Sequence, residues 1–245
     1  MIDSLKEKRF FDAKIKLLSE SGADGGIGRL SEKSLHKVLK SYIEPDETFH
    51  EREHLGSVAD IMNSDGIYEI QTRSAERLIP KLERFLKSTH VTVVVPIIAE
   101  RILRRLDKST GEITEPRKSP KKETPYTAFR EVYKIRRFLS HENLSIRLVT
   151  LKAEEYKYLN ARRGKTKIDL LPTDLVDDVS LDFSADYTRY LPESLPDRFT
   201  AKEHSLASKY PTALSSYVLG VLHYAGVVEL VGKEGRANVY KIKPI

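Results

Sequence analysis

The sequence predicts an α/β fold, in which a mixed sheet is flanked by helices, followed by a second, smaller domain. Two observations predict it. Through residues 31–155, apolar residues at helical and at strand spacing follow one another in the order α-β-β-β-α-β-α-β, which is typical of a sheet with parallel and antiparallel pairs. From residue 185 onward, short helical segments precede two strands and a glycine-rich loop. We therefore expect an N-terminal helix and flexible connection at 1–30, a linker at 156–184 and the second domain at 185–245.

Composition and charge exclude several classes of protein. The 245 residues include no cysteine, which excludes a disulfide framework, a thiolate zinc site and a cysteine nucleophile. Residues 1–11 are charged and lack the apolar core of a signal peptide, and the longest apolar run, Val91–Ala99, is too short to span a membrane. We therefore expect a cytoplasmic protein with no membrane partner. A net charge of +6 is a weak indication of a nucleic-acid partner.

Two helices and three short strands come first in the chain. Residues 1–20 have the apolar spacing of an amphipathic helix, and Ser31 is a good N-cap for a helix over 32–43. Three strand candidates follow, at Thr48–His54, Val58–Met62 and Ile67–Thr72. The turn residues Asn63–Gly66 separate the last two, so we expect these two strands to form a hairpin.

Further helices and strands complete the main domain. Ser74–Lys87 has helical spacing, with Pro80 either kinking the helix or resetting its start. His90–Ile98 has the composition of a buried strand. A small hairpin over 102–115, a basic amphipathic helix at Thr124–Leu139 and a strand at Leu144–Leu151 follow.

Basic residues concentrate beside the predicted sheet. The densest cluster is Arg117, Lys118, Lys121 and Lys122, and a second one lies at 162–167. Because clustered cations are typical of surfaces that contact phosphate groups, we expect the first cluster to lie along a nucleic-acid backbone. The segment 169–186 that follows is acidic, which favours a solvated linker.

Two acidic residues stand in strands that otherwise read as buried. Charge is costly at such positions unless it is paired or bound to a metal, so Asp60 and Glu69 are the strongest candidates for a site. A two-residue tip at 64–65 would place Asp60 directly opposite Glu69, with Cβ atoms about 5 Å apart. Moving that tip by one residue would place Asp60 opposite Gln71, with Glu69 as a diagonal neighbour. Either register puts the three side chains on one face.

The pattern of Asp60, then Glu69-Ile70-Gln71 on the next strand, then a helix and a strongly apolar strand, resembles the PD-(D/E)XK nuclease superfamily over residues 32–151. The resemblance implies a restriction-endonuclease-like fold and hydrolysis of phosphodiester bonds with Mg²⁺ or Mn²⁺. It implies that Asp60, Glu69 and the carbonyl of Ile70 hold the metal, which would activate water and stabilise charge on the scissile phosphate.

The resemblance also assigns supporting residues, with one departure. Glu32, on the first helix, best matches a further acid that members often carry there. Gln71 stands where the family usually has lysine. A glutamine can orient water by hydrogen bonding but cannot supply positive charge. Arg73, two residues later, would restore a charge near the phosphate.

A competing motif overlaps this region. His50-Glu51-Arg52-Glu53-His54 matches H-E-x-x-H, which on a helix places two histidines on one face as zinc ligands. The charged residue inside the motif and the flanking residues favour a strand and turn instead, so a zinc protease is the weaker alternative.

The C-terminal segment resembles a winged helix-turn-helix. Thr200-Ala-Lys-Glu203 is a capping box that opens a helix, a second helix follows Pro211, and two strands flank the loop Gly232–Asn238. The resemblance implies DNA contacts from Ser215 on the second helix and from Lys233 and Arg236 on the wing. We therefore expect a metal-dependent nuclease acting on DNA, with a homodimer as a possible assembly. The alternative is a catalytically inactive nuclease fold that binds DNA or regulates.

Overall fold

The computed structural model describes residues 3–23, 34–107, 109–159 and 167–244, and it is a mixed α/β protein. The strands are β1 (His50–His54), β2 (Ser57–Asn63), β3 (Gly66–Ile70), β4 (Val91–Leu106), β5 (Arg117–Lys118), β6 (Leu144–Tyr158), β7 (Lys167–Leu181), β8 (Val228–Glu234) and β9 (Ala237–Ile242). The helices are α1 (Ser4–Ala23), α2 (Ser34–Ile43), α3 (Ile79–Phe85), α4 (Pro125–Val132), α5 (Ser184–Tyr187), α6 (Ala201–Ser208) and α7 (Thr212–Tyr224).

One mixed sheet organises the chain, as the sequence predicts. Its strand order is β1-β2-β3-β4-β6-β7, and the short β5 adds to β4. The first three strands form an antiparallel meander, β3-β4-β6 are parallel, and β7 closes the edge antiparallel to β6. The helix after β3 starts where Pro80 permits, because proline fits the first turn of a helix and not its interior.

Both faces of the sheet are covered by helices. Val93 of β4 packs in a core with Phe85 of α3 and Phe129 of α4. Its neighbour Val94 packs in a second core with Leu39 of α2 and Phe10 of α1, on the opposite face. Consecutive strand residues therefore bury their side chains on opposite sides, which explains the uninterrupted apolar run of this central strand.

The segment predicted as a linker is a strand, so that prediction is wrong for residues 167–181. β7 pairs with β6 along most of its length. The acid of β7 that lies against the protein has partners: Asp178 accepts hydrogen bonds from Arg147 at 2.8 and 2.7 Å and from the Tyr42 hydroxyl at 2.6 Å. These partners neutralise the charge that favoured a solvated linker.

The predicted hairpin over 102–115 is formed by the end of β4 and the segment that returns beside it. Leu106 bridges Ile113, the Asp107 amide donates to the Glu112 carbonyl at 2.9 Å, and the Thr114 amide donates to the Arg105 carbonyl at 2.9 Å.

One local prediction differs from the structure. The predicted helix Thr124–Leu139 divides into α4, which ends at Val132, and a 3₁₀ segment over Tyr133–Phe138. Within that segment, Ile135 leaves the helical region at φ −107° and ψ 15°.

The C-terminal segment shares the main core instead of forming a separate one. The capping box at Thr200 and Glu203 opens α6 as predicted. Val218 and Leu222 of α7 are fully buried in the same core as Phe129 of α4. The strands of the β8–β9 hairpin are longer than predicted and join at a two-residue turn, because Glu234 already pairs with Ala237.

Candidate active site

The hairpin β2–β3 brings the two predicted acids together. Asn63 pairs with Gly66 and Ile61 with Tyr68, so the turn consists of residues 64 and 65. Beyond these pairs, the Asp60 carboxylate accepts the Ile70 amide at 2.7 Å, which holds Asp60 beside the end of β3. Gly66 makes the tight turn possible. Its φ is +123°, and a Cβ there would lie 2.4 Å from the carbonyl oxygen of His90, so only glycine fits. The first of the two turns predicted from the sequence, with its tip at 64–65, is confirmed.

Asp60 is held by the backbone of β3 and by a histidine of α2. Its Oδ2 accepts a hydrogen bond from the Ile70 amide at 2.7 Å and lies 3.2 Å from Nε2 of His36. Burial alone would raise the pKa of Asp60, but the hydrogen bond and charge of His36, with the Ile70 amide, lower it below its ordinary 3.8. Asp60 is therefore the ionised member of the pair, and His36 is a contact that the sequence did not reveal.

Glu69 is almost completely buried and pairs with a lysine of α3, which covers the face of the sheet opposite to α2. Its side chain is 2% exposed, and Nζ of Lys81 on α3 lies 2.9 Å from each carboxylate oxygen. Burial first, and then the charge of Asp60, raise the pKa of Glu69 to about 7, against the opposing effect of Lys81. The two carboxylates thus differ in proton affinity, an arrangement typical of sites that perform acid–base or metal chemistry.

Lys81 is the functional candidate that sequence reasoning missed. It supplies at the acid pair the positive charge that Gln71 cannot supply. It lies in the first turn of α3, two residues after Ile79, where the helix returns over the sheet. Its sequence signal is only a lysine beside Pro80 in a helix start, which is too common to predict a site.

Gln71 and Arg73 form the turn that leaves β3. The side-chain amide of Gln71 donates through Nε2 to the backbone carbonyl of Ser74 at 3.0 Å, and its Oε1 accepts from the backbone amide of Arg73 at 2.8 Å. The side chain that was predicted to orient water is therefore engaged in a turn. The Arg73 side chain is exposed. Glu32, the other predicted supporting residue, lies outside the described residues.

The donor atoms of the acid pair are all oxygens, the ligand type that magnesium prefers. Two carboxylates and the Ile70 carbonyl are oxygen donors, and Mg²⁺ is commonly bound through one or two carboxylates, with waters and substrate phosphates completing its shell. In the described part of the chain, no group of three or more His, Asp or Glu residues has the spacing to hold a metal. In this structure the carboxylates of the pair are instead engaged by protein groups, Asp60 by His36 and Glu69 by Lys81.

A cleft opens where β3 ends and β4 continues. It encloses about 490 Å³. Its floor includes Pro96 and Arg101 of β4, and Gln71 borders it on the side of the acid pair. Basic residues line it, namely Arg73, Arg101, Lys121, Lys122, Arg130 and Lys167. Glu123 and Glu131 are the carboxylates among its described lining residues, so the cleft has an excess of positive charge.

The comparisons with known proteins identify a family. The family model described as "Domain of unknown function (DUF8091)" matches residues 33–182. The chain belongs to the DUF8091 family. A protein of Treponema pallidum (strain Nichols), given as "Uncharacterized protein", is 28% identical over 225 residues, which cover 89% of this chain and 88% of that protein. No solved structure matches the chain.

The DUF8091 region coincides with the seven-stranded sheet. Residues 33–182 include every strand from β1 to β7, the acid pair and the cleft, and they end one residue after β7. The segment from α5 to β9 follows this region although it packs into the same core. The match thus joins the predicted main domain and the predicted linker into one unit.

The four basic residues predicted to contact nucleic acid all lie at the surface of this DUF8091 protein, two of them in ion pairs. Arg117 and Lys118 form β5, where Lys118 pairs with Glu100 at 2.5 Å. Lys121 pairs with Glu123 at 2.8 Å, and Lys122 is exposed. All four side chains lie at the surface beside the cleft or on the strand that leads to it.

The predicted contacts of the C-terminal segment divide into one that is buried and two that are exposed. Ser215 is fully buried, and its Oγ lies 3.0 Å from Nδ1 of the buried His204, so this side chain does not reach a ligand at the surface. Its prediction as a nucleic-acid contact is wrong because α7 turns that face into the core. Lys233 and Arg236 are exposed on the β8–β9 hairpin.

The zinc alternative is excluded by secondary structure. His50 and His54 lie on strand β1, where residues four apart are about 13 Å from each other. His50 contacts the carbonyl of Glu44 at 2.8 Å, and His54 contacts the Ser88 hydroxyl at 3.1 Å. The described helices are all too short or too polar to span a lipid bilayer.

Proposed function

We propose that this DUF8091 protein is a metal-dependent nuclease that hydrolyses phosphodiester bonds in DNA. The observation that carries the proposal is the acid pair of the β2–β3 hairpin, the half-buried Asp60 and the buried Glu69, with Lys81 on Glu69 and a basic cleft beside it. Buried paired carboxylates are costly to a fold and need a reason. A cation held by two acids, next to cations that attract phosphates, provides one.

The residues of the chain divide the work of the proposed reaction. Asp60, Glu69 and the Ile70 carbonyl would hold Mg²⁺. The metal would stabilise negative charge on the scissile phosphate and lower the pKa of a bound water. The Ile70 amide and His36 orient Asp60 through the contacts described above. Lys81 balances the charge of Glu69 and would supply positive charge to the phosphate if a metal took its place on Glu69.

The order of elements supports a restriction-endonuclease-like core. A helix precedes an antiparallel three-stranded meander, and the third strand connects through α3 to the parallel strand β4. The C-terminal order of α6, α7 and the β8–β9 hairpin likewise supports a winged helix-turn-helix. In this proposal α7 serves as a packing helix, and the hairpin presents Lys233 and Arg236 to DNA.

A second candidate is a nuclease fold that binds DNA without cutting it. Two observations favour it: Gln71 replaces the usual lysine and is bonded within its turn, and both oxygens of Glu69 are already paired with Lys81. The two candidates differ in whether a change at Glu69 affects anything besides stability.

Nicking of supercoiled plasmid by the purified protein tests the proposal. With Mg²⁺ or Mn²⁺, we expect wild type and the control Glu76→Gln, an exposed acid ahead of α3, to nick at equal rates. Glu69→Gln, which keeps the shape of the side chain, should lose more than the roughly 10–100-fold that altered supporting contacts cost at metal sites. If no variant nicks the plasmid or degrades a single-stranded oligonucleotide, and all bind DNA with steep salt dependence, the non-cutting candidate is correct.

A further inference from the structure

The cleft beside the acid pair is a gap in the edge of the sheet. The backbone amide of Gln71 donates to the carbonyl of Val94 at 2.8 Å, and this is the last hydrogen bond between β3 and β4. Pairing on this edge resumes at Ile98, whose amide donates to the Glu123 carboxylate at 3.0 Å and whose carbonyl accepts from the Glu123 amide at 3.1 Å. Between them, strand alternation turns Pro96 towards the open edge.

Pro96 suits a gap that stays open. A strand residue that faces an empty edge normally leaves an unpaired amide, which invites pairing with another strand. Proline has no amide hydrogen, so this edge position lacks the donor that would recruit a neighbouring strand. The sequence of β4 therefore maintains the gap, because another strand cannot form a hydrogen bond to the nitrogen of Pro96.

The width of the gap limits what can enter it. The hydrogen-bonded positions at its two ends, Val94 and Ile98, are four residues apart on one strand, which is roughly 13 Å from backbone to backbone. The turn at Gln71 and the segment at Glu123 occupy part of that span with their own atoms. A gap of this length along β4 is a slot that suits a single extended polymer strand better than a nucleic-acid duplex.

The charges around the slot favour phosphate. Arg73, Lys122 and Arg130 line it and, among the described residues, have no ion-pair partner. Arg101, on the floor, pairs with Glu155 at 3.2 Å and Glu123 at 3.4 Å, yet its Nε is buried and has no hydrogen-bond acceptor. Such an orphan donor is rare in folded proteins and calls for an acceptor oxygen.

We propose that the slot binds the phosphate backbone of single-stranded nucleic acid and leads that strand to the acid pair. Arg101 is the anchor on the floor, and Arg73, Lys122 and Arg130 contact the flanking phosphates. The inference rests on the proposed function, because it names the substrate that the acid pair would cut. None of the described residues lining the slot is aromatic, so base stacking contributes little and binding tolerates any sequence.

Fluorescence anisotropy of the full chain in EDTA tests this inference without requiring cleavage. The probes are a labelled single-stranded oligonucleotide and the same strand annealed to its complement. We expect the single strand to bind at least tenfold more tightly than the duplex. Lys122→Ala with Arg130→Ala removes two exposed cations, and the slope of log K against log salt should flatten by about 1.4, since each lost phosphate contact contributes about 0.7 for single strands.

A matched control carries the same change of charge elsewhere. Arg189→Ala with Lys202→Ala removes two exposed cations of the C-terminal segment and should leave affinity and slope unchanged. Arg101→Lys keeps the charge but removes Nε, and should weaken single-strand binding while far-ultraviolet circular dichroism remains native. Competition by inorganic phosphate or a nucleoside monophosphate at millimolar concentration should be weak, because one phosphate occupies only part of the slot.

Three outcomes would overturn the inference. Equal or tighter binding of the duplex excludes a single-strand slot. Equal slopes for the slot and control variants show only general attraction to a basic surface. Full competition by a mononucleotide shows a small-molecule pocket. A protein that binds as expected but never cuts leaves this inference intact and rejects the nuclease. A protein that nicks plasmid but binds both probes equally does the reverse.

Discussion

At the scale of single residues, the contact between Lys81 and Glu69 has the largest consequence. Replacing Lys81 with methionine leaves a buried carboxylate without its cation, and breaking a buried pair costs about 3–5 kcal/mol when the remaining charge persists. Glu69 can avoid carrying an unpaired buried charge by taking up a proton, because burial and Asp60 already raise its pKa to about 7. The cost should therefore depend on pH.

The sign of that dependence follows from proton uptake. In Lys81→Met the pKa of Glu69 in the folded state rises further above the 4.5 of the unfolded chain. The folded state then holds the extra proton, so the free energy of unfolding falls as pH rises above 4.5. Urea titrations at pH 5 and pH 8.5 should show a small loss at pH 5 and a larger one at pH 8.5. Lys81→Arg is the control, and an equal loss at both values would contradict the argument.

His204 predicts the opposite dependence. It is fully buried between the Ser215 hydroxyl and the Tyr190 carbonyl, and burial lowers its pKa below the ordinary 6.5 although the hydrogen bond to Tyr190 opposes this. The unfolded chain therefore takes up a proton at a pH where the folded protein stays neutral, and stability falls as pH decreases below 6.5.

A variant isolates this contribution from other titrating groups. The difference in unfolding free energy between wild type and His204→Gln should shift against wild type by up to about 1.4 kcal/mol per pH unit below 6.5. Denaturant titrations at pH 7.5, 6.5 and 5.5 measure it. Parallel pH profiles for the two proteins would show that His204 is not held neutral.

Which site residues could be predicted follows from how local their contacts are. Asp60 and Glu69 are predictable because a tight turn at 64–65 and strand alternation fix their register within ten residues. Lys81 and His36 reach the acids from two helices on opposite faces of the sheet. Those contacts depend on how whole elements pack, which residue spacing does not encode.

At the scale of elements, the contact between α7 and the segment after α4 is unusually close. A Cβ at Gly220 would lie 2.4 Å from Cε2 of Tyr133. Gly220→Ala should therefore destabilise the protein by about 1–3 kcal/mol through overpacking, although alanine is the better helix former.

A double-mutant cycle separates the two effects. In a Tyr133→Ala background the clash is absent, and Gly220→Ala should stabilise by up to about 1 kcal/mol from helix propensity alone. Thermal and urea unfolding of the four proteins give the coupling. The same sign for Gly220→Ala in both backgrounds would mean that α7 does not pack this closely on Tyr133.

β7 shows why an element can be missed. Its acidic composition predicts a linker because the partners of its one buried acid are remote: Arg147 is 31 residues from Asp178, and Tyr42 is 136 residues away. Local composition describes the charge of a segment but not what neutralises it. The central strand β4 is easier to predict, because burial on both faces leaves an apolar run that needs no partner to be recognised.

At the scale of the whole molecule, the sequence predicts two domains, whereas in the structure the C-terminal segment shares the hydrophobic core on one face of the sheet. The change of pattern at residue 185 is real, and the DUF8091 match also ends near it, at residue 182. Yet Val218, Leu222 and Phe129 lie in one hydrophobic cluster and are fully buried. A change of local pattern therefore marks a change of element type, and only packing decides whether a domain boundary accompanies it.

This continuity predicts one cooperative unfolding transition for the full chain. Circular dichroism reports the sheet and helices, and tyrosine fluorescence reports the C-terminal interface, where Tyr126 stacks on Tyr210 at 4.3 Å between ring centroids. The two signals should coincide in a thermal or urea titration. A fragment of residues 1–183 exposes the face of α4 that α7 covers, and should lose near-ultraviolet dichroism and bind a hydrophobic dye. Two separate transitions, or a fragment 1–183 with native stability, would instead support independent domains.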